Sequence, residues 1–138
     1  KRQVNMQARG ETVMGRMVTC AVIVAAMVAF AIFGYNYSDN RAKEIYITAD
    51  GITQAIDNDD KQKAAEMAAY AEDIWRGLSQ DTIFVEDTEC DNEIAMCLSR
   101  IKVFAKSGED DIYSECAVLK RLIELYITRQ HLTLSSVL

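Results

Sequence analysis

The side chains of this 138-residue chain with the means to do chemistry are few: one histidine, four cysteines and 21 carboxylates. His131 has no nucleophile at a spacing that would bring the two together, and a general base needs its partner within hydrogen-bond reach, so it reads as a lone surface histidine. Cys20, Cys90, Cys97 and Cys116 form no CxxC pair, which removes a zinc ribbon and a thioredoxin-type couple. Cys97 and Cys116 flank a turn at Ser107-Gly108. In an antiparallel hairpin closed there, residues whose numbers add to about 215 face each other. The two thiols are therefore expected either to bridge in an oxidising exterior, if their Cα atoms approach within about 7 Å, or to pack side by side as small hydrophobes. Cys90 takes no part in either reading. The stretch Gln80–Glu93 holds Asp81, Glu86, Asp87, Glu89, Asp91 and Glu93 around the apolar trio Ile83, Phe84 and Val85. Those carboxylates would attract Ca²⁺, yet the calcium-loop pattern with its central glycine is missing, and the reading is a solvated linker pinned by the trio. Trp75 stands just ahead of it, as a packing anchor or, if exposed, as a partner contact. Catalytic, cofactor-binding and metal-binding residues are all expected to be absent, and the protein is expected not to be an enzyme.

Such residues need elements to hold them, and the composition allows one kind. With no proline and only six glycines, the chain lacks the usual punctuation of loops and edge strands, and it is predicted to be all-α. Residues 17–35, MVTCAVIVAAMVAFAIFGY, carry no charge. Nineteen residues at about 1.5 Å each nearly match a hydrocarbon core of ~30 Å, so they are expected to form a single transmembrane helix, with Tyr35 and Tyr37 at the interface. Within it Ala21, Ala25 and Ala29 share a helix face, a candidate contact stripe for another helix. A basic arm, 1–16, carries +3 through Lys1, Arg2, Arg9 and Arg16 against Glu11, and the rest of the chain carries -9. Cations are retained on the cytoplasmic side, so the N-terminus is expected inside and the acidic domain outside. An acidic domain disfavours nucleic acid. Ala29-Phe30-Ala31 has the small-x-small form of a signal cleavage site, which makes a secreted domain the alternative. Thr19-Cys20 stands at the wrong end of the run for a lipoprotein site.

Beyond the span, apolar residues recur at helical spacing in four stretches: Ala42, Ile45, Ala49, Ile52, Ile56; Ala64, Met67, Ala71, Ile74, Leu78; Ile94, Leu98, Ile101, Ala105; and Ile112, Cys116, Leu119, Ile123, Tyr126. These predict two antiparallel helical hairpins, 39–79 and 89–130, in a small bundle, followed by a tail at 131–138. Asp57-Asn58-Asp59-Asp60 closes the first, with Asp59 and Gln62 as a capping box; Ser107-Gly108-Glu109-Asp110 closes the second, with Ser107 as the cap. A shift of 49 positions lays Ile45 on Ile94, Ile52 on Ile101, Glu66 on Glu115, Ala68 on Ala117 and Ile74 on Ile123. Val118, Leu122, Leu125 and Ile127 make the fourth helix apolar on more than one face, which predicts that it is the most central.

From the membrane helix onward the chain resembles the bacterial membrane-anchored family known as domain of unknown function 4363. The likeness rests on DNDDKQKAAEMAAYAEDIW, ending at Trp75, then on EIAMCLSRIKVFAKSGE and ECAVLKRLIELYITRQHLTLSSVL, with Leu98, Ser99, Arg100, Leu119, Leu122, Ile123 and Glu124 as the telling positions. The heavier cysteine content and the longer basic arm depart from the family pattern. The resemblance implies an anchored helical domain and assigns no activity. The expectation is a non-enzymatic accessory or scaffold module, held in lipid by its first helix and binding a membrane protein or a second copy of itself. A sensor of a ligand or cation through the acidic linker is the alternative.

Overall fold

In the computed structural model, which describes residues 2–81 and 88–137 (side chains of 10–80 and 89–136), every element is helical: α1 (Arg2–Asp57), α2 (Lys61–Asp81), α3 (Thr88–Ser107) and α4 (Asp111–Val137), with no strand among the described residues. The chain divides into two compact units, Lys1–Tyr37 and Ser38–Leu138. Asn36, Ser38, Asp39 and Asn40, weak helix formers that stand where a joint would fall, do not interrupt α1.

The first unit is a single helix, and from Gly10 to Gly34 its residues are exposed. Phe30 and Phe33 are 80% and 72% exposed, and Met17, Val22, Ile23, Val24, Met27 and Ile32 are exposed with them. α1 is long and apolar enough to cross a membrane. Ala21, Ala25 and Ala29 are likewise exposed.

The second unit is a four-helix bundle in which α1 contributes Ser38–Asp57. Side chains fix the order around it: Tyr70 of α2 hydrogen-bonds Glu44 of α1, Lys102 of α3 reaches Glu72 of α2 at 3.1 Å, Arg100 of α3 pairs with Glu115 of α4 at 3.1 Å, and Lys120 of α4 bonds Asp50 of α1. As numbers rise along one helix they fall along its neighbour, so adjacent helices are antiparallel. The predicted stripes form the core: Ala42, Ile45, Ala49, Ile52, Ala64, Ala71, Ile94, Leu98, Ile101, Ala105, Ile112 and Leu119 are fully buried. Burying a residue the size of Leu or Ile removes enough apolar surface for about 1.5–3 kcal/mol, which is what drives the four faces together. The described core adds Ala68, Cys97 and Trp75 to those stripes.

Several expectations need correction. The fourth helix is not the most central: Val118 and Leu125 are 44% and 41% exposed, and α3 has the closest backbone approach to two neighbours, α2 and α4. There is no separate tail at 131–138, because α4 continues to Val137. The 49-residue shift holds between α1 and α3, yet it fails at Ala68 and Ala117, of which the first is buried and the second exposed. α2 and α4 superpose on a shift of 48, which lays Ala64, Ala68, Ala71, Trp75 and Leu78 on Ile112, Cys116, Leu119, Ile123 and Tyr126, all ten of them buried.

The turns also differ in detail from the sequence expectation. Asp59 does not cap α2. It has φ +57°, and with Asp60 N–H donating to Ala55 C=O at 2.8 Å and Asp59 N–H to Ile56 C=O at 2.9 Å, it occupies the left-handed position of a Schellman motif that closes α1. The cap is Asp60, whose Oδ1 accepts Lys63 N–H at 3.1 Å. Ser107 is the final residue of α3 and its hydroxyl donates back to Phe104 C=O. Gly108, at φ +72°, ends that helix with its N–H on Phe104 C=O at 2.7 Å.

Candidate functional site

Three places in the second unit bring chemically capable side chains together. The first is the thiol pair. Cys97 on α3 and Cys116 on α4 are buried, and both are free. The Cys97 thiol donates to the backbone carbonyl of Glu115 at 3.3 Å and to its carboxylate at 3.4 Å. Burial, and then that hydrogen bond, push the Cys97 thiol up to about 12. Burial pushes Cys116 up to about 11, against a small opposing pull from Lys120. A thiol is nucleophilic as its thiolate, and burial disfavours that form at both positions. The facing register expected from the turn is met by Arg100 and Glu115, which pair across α3 and α4.

The second is a polar cluster where the bundle begins at Ser38. Ser38 Oγ lies 3.1 Å from the Tyr126 hydroxyl, and the Gln130 amide donates to both, at 2.8 Å each. Asp39, with 13% of its side chain exposed, holds Lys43 Nζ on Oδ2 at 2.6 Å. Its Oδ1 lies 3.8 Å from Nε2 of His131, which is itself 59% exposed. Asp39 Oδ1 and Gln130 Oε1 are buried acceptors without a hydrogen-bond donor among the described residues. Trp75 closes the cluster from α2, its ring meeting Tyr126 edge-on with centroids 5.2 Å apart. At 4% exposure Trp75 is a packing residue of the bundle and not the exposed partner contact of the other expectation: its ring is packed against Tyr126 of α4.

The third is surface. Met96 and Val103 stand seven residues apart on α3, 60% and 61% exposed, and Val118, Leu125 and Leu132 repeat every seventh residue of α4. Seven residues is close to two helical turns, so each set lies along one outer stripe. Arg100 and Glu115 pair between the two helices that carry them.

Of the acidic linker expected at Gln80–Glu93, residues 82–87, with Ile83, Phe84, Val85, Glu86 and Asp87, lie outside the described residues; the rest is helix rather than linker, Gln80 and Asp81 ending α2 and Glu89, Asp91 and Glu93 standing in the first turns of α3. Among the described residues no group of three or more His, Cys, Asp or Glu side chains is placed to hold a metal. Sequence reasoning missed the pairs that lock α1 to its neighbours: Tyr70 with Glu44, Tyr113 with Asp57 at 2.6 Å, and Lys120 with Asp50 while its ammonium lies 4.9 Å over the Tyr46 ring. The same facing-number rule that was applied to the thiols would have found Arg100 and Glu115. The Ser38–Tyr126–Gln130 cluster has no comparable signal, since its members lie 88 and 92 positions apart.

Compared with protein-family models, with curated proteins and with solved structures, the chain matches none.

Proposed function

We propose that this protein is a non-enzymatic, membrane-anchored accessory or scaffold module: residues 17–35 cross the bilayer, and the bundle binds another protein at the membrane surface through the outer face of α3 and α4. The observation that carries the reading is the contrast between two sets of apolar side chains. In the bundle they are paired stripe to stripe, whereas from Met17 to Phe33 large apolar residues stand exposed on a helix of spanning length. A protein in water seldom leaves so much contiguous apolar surface uncovered, and lipid is the solvent that suits it. The four cations before residue 17, against Arg41 and Lys43 just after the run, support an N-terminus in the cytoplasm and a bundle outside. Membership of the anchored family of unknown function is part of the same proposal and adds no activity. The exposed stripes of Met96, Val103, Val118 and Leu125 are the surface such a partner would cover, and the buried thiols and the single histidine of the sequence, His131, give no argument for an enzyme.

The test is affinity capture of the full chain from detergent-solubilised membranes, in parallel with a Val118→Glu, Leu125→Glu variant, with mass spectrometry of what is retained. A protein held by the parent and lost from the variant supports the reading. Retention of other copies of this chain alone replaces the accessory role with self-association. Equal retention by both proteins removes the α3/α4 face as the binding surface.

A further inference from the structure

The last turns of α4 differ in kind from the other helix ends of the bundle. Both hairpin turns are crowded with carboxylates, Asp57, Asp59 and Asp60 in one and Glu109, Asp110 and Asp111 in the other, whereas after Arg129 the sequence QHLTLSSVL has no Asp, Glu, Lys or Arg. The uncharged segment is helical to Val137. Leu132 is 64% exposed, and Thr133, Ser135 and Ser136 are exposed beside it. Their hydroxyls do not wait for water. Thr133 donates to Arg129 C=O at 3.0 Å, Ser135 to Leu132 C=O at 2.9 Å and Ser136 to Thr133 C=O at 2.8 Å. A hydroxyl satisfied by its own helix loses much of its reason to stay hydrated.

The register within the bundle fixes where this segment goes. α4 runs antiparallel to the bundle part of α1, with Tyr113 beside Asp57, Lys120 beside Asp50, Gln130 on Ser38 and His131 beside Asp39. Leu132–Val137 therefore continues past the level of Ser38, where this unit begins, for six more residues at about 1.5 Å each, or ~9 Å. Asp39 is four residues after Tyr35, the end of the apolar run. At ~3.8 Å per Cα step those four residues reach at most ~15 Å, so the covalent chain alone holds the start of this segment near the end of the span.

We infer that the final turns of α4, from Leu132 to Val137, form a second membrane contact: they lie in the interfacial layer of the bilayer, with Leu132 among the acyl chains and the charged side chains, Arg129 first, kept at the headgroups. The occupant of this helix face is lipid. The absence of charge, the hydroxyls closed on their own backbone and the bounded distance to the span all fit lipid, and a short, mildly apolar segment held there by the chain needs little affinity of its own, because its effective concentration at the surface is set by the anchor. The inference rests on residues 17–35 being the span, so the experiment reports on the two separately.

The full chain with Cys20→Ser and Cys90→Ser, leaving Cys97 and Cys116 buried and unlabelled, is given one reporter cysteine, Leu132→Cys, Ile23→Cys or Val103→Cys, and labelled with an environment-sensitive nitrobenzoxadiazole. It is then reconstituted at one copy per nanodisc of phosphatidylcholine and phosphatidylglycerol, with and without brominated acyl chains. Emission from positions 132 and 23 is expected to fall at least twofold with brominated lipid, and that from position 103 to stay unchanged. If position 132 behaves like position 103 while position 23 is quenched, the interfacial contact is overturned and the span stands. If position 23 is not quenched, the span reading falls and the contact with it. Hydrogen exchange of the unaltered chain in the same nanodiscs is the second measurement: amides of 132–137 should exchange at least tenfold more slowly than unstructured peptide, and exchange at peptide rates overturns the inference.

Discussion

The two hairpins of the bundle close through a left-handed residue in different motifs, a pair of bonds around Asp59 and a single bond from Gly108 to Phe104, and are packed with different materials. α2 offers Ala64, Ala68 and Ala71 where α4 offers Ile112, Cys116 and Leu119. Both helices approach α3 closely, but the small residues of α2 bring little apolar area to the core and the larger ones of α4 bring more. The turns show a similar trade. Gly108 takes its left-handed conformation without cost, whereas Asp59 takes nearly the same φ with a Cβ attached. The second hairpin reaches its left-handed turn with the cheaper residue and buries the larger side chains.

The contrast breaks most visibly through the core. Leu119→Ala or Ile101→Ala should destabilise the bundle by about 2–5 kcal/mol, since each opens a cavity among fully buried neighbours, whereas Ala68→Gly should cost only about 1 kcal/mol through helix propensity. Urea unfolding of the detergent-solubilised protein followed by circular dichroism measures both, and equal losses would refute the distinction. Ala68→Leu sharpens it from the other side, with an overpacking cost of about 1–3 kcal/mol expected where α2 meets α3 closely.

Next comes alkali. Cys97 and Cys116 have folded pKa values raised above the unfolded 9.0, to about 12 and about 11. Their contribution is complete below pH 9 and is lost as pH rises through the folded values, because the unfolded chain then sheds protons that the folded chain retains. Tyr70 and Tyr113 are shifted upward as well, chiefly by their hydrogen bonds to Glu44 and Asp57, and they add to the same slope. The unfolding midpoint should therefore fall between pH 9 and 12, and Cys97→Ala with Cys116→Ala should flatten part of that fall. An unchanged slope in the double variant would mean that the thiols are not held protonated.

The turns give the smallest effects. Asp60→Ala removes the cap of α2 and should cost about 1 kcal/mol. Gly108→Ala should cost a similar ~1 kcal/mol, while Asp59→Gly should be neutral or stabilising by a few tenths, as the left-handed position is relieved. Thermal unfolding of the three variants checks the order; a loss at Asp59→Gly equal to that at Gly108→Ala would erase the difference between the turns.

Much of this fold was legible in the sequence because helical periodicity reports burial directly. Nearly all the stripe residues proved buried, with Ile56 and Met67 only partly so. The errors have two causes. Ser107 and Asp59 are plausible caps by residue type, yet which of several polar residues in a turn becomes the cap depends on where the preceding helix stops, and the Schellman closure after Ala55 moved the cap to Asp60. The pairing of α2 with α4 was misread by one position because alanine is nearly silent in an apolar pattern: Ala64, Ala65, Ala68, Ala69 and Ala71 allow more than one face. The membrane-length run was plain, since an uncharged stretch of nineteen needs no partner to be recognised. The polar cluster around Ser38 was not, for polar residues distant in sequence leave no periodic trace.

One further consequence follows from Trp75. It is the sole tryptophan, and its ring rests edge-on against Tyr126 across the bundle from α2 to α4, so the single indole spans both hairpins. Its fluorescence is an intrinsic gauge of whether the halves are docked: a blue, structured emission while α4 is seated, moving to the red when the halves part, even if each half keeps its helical content.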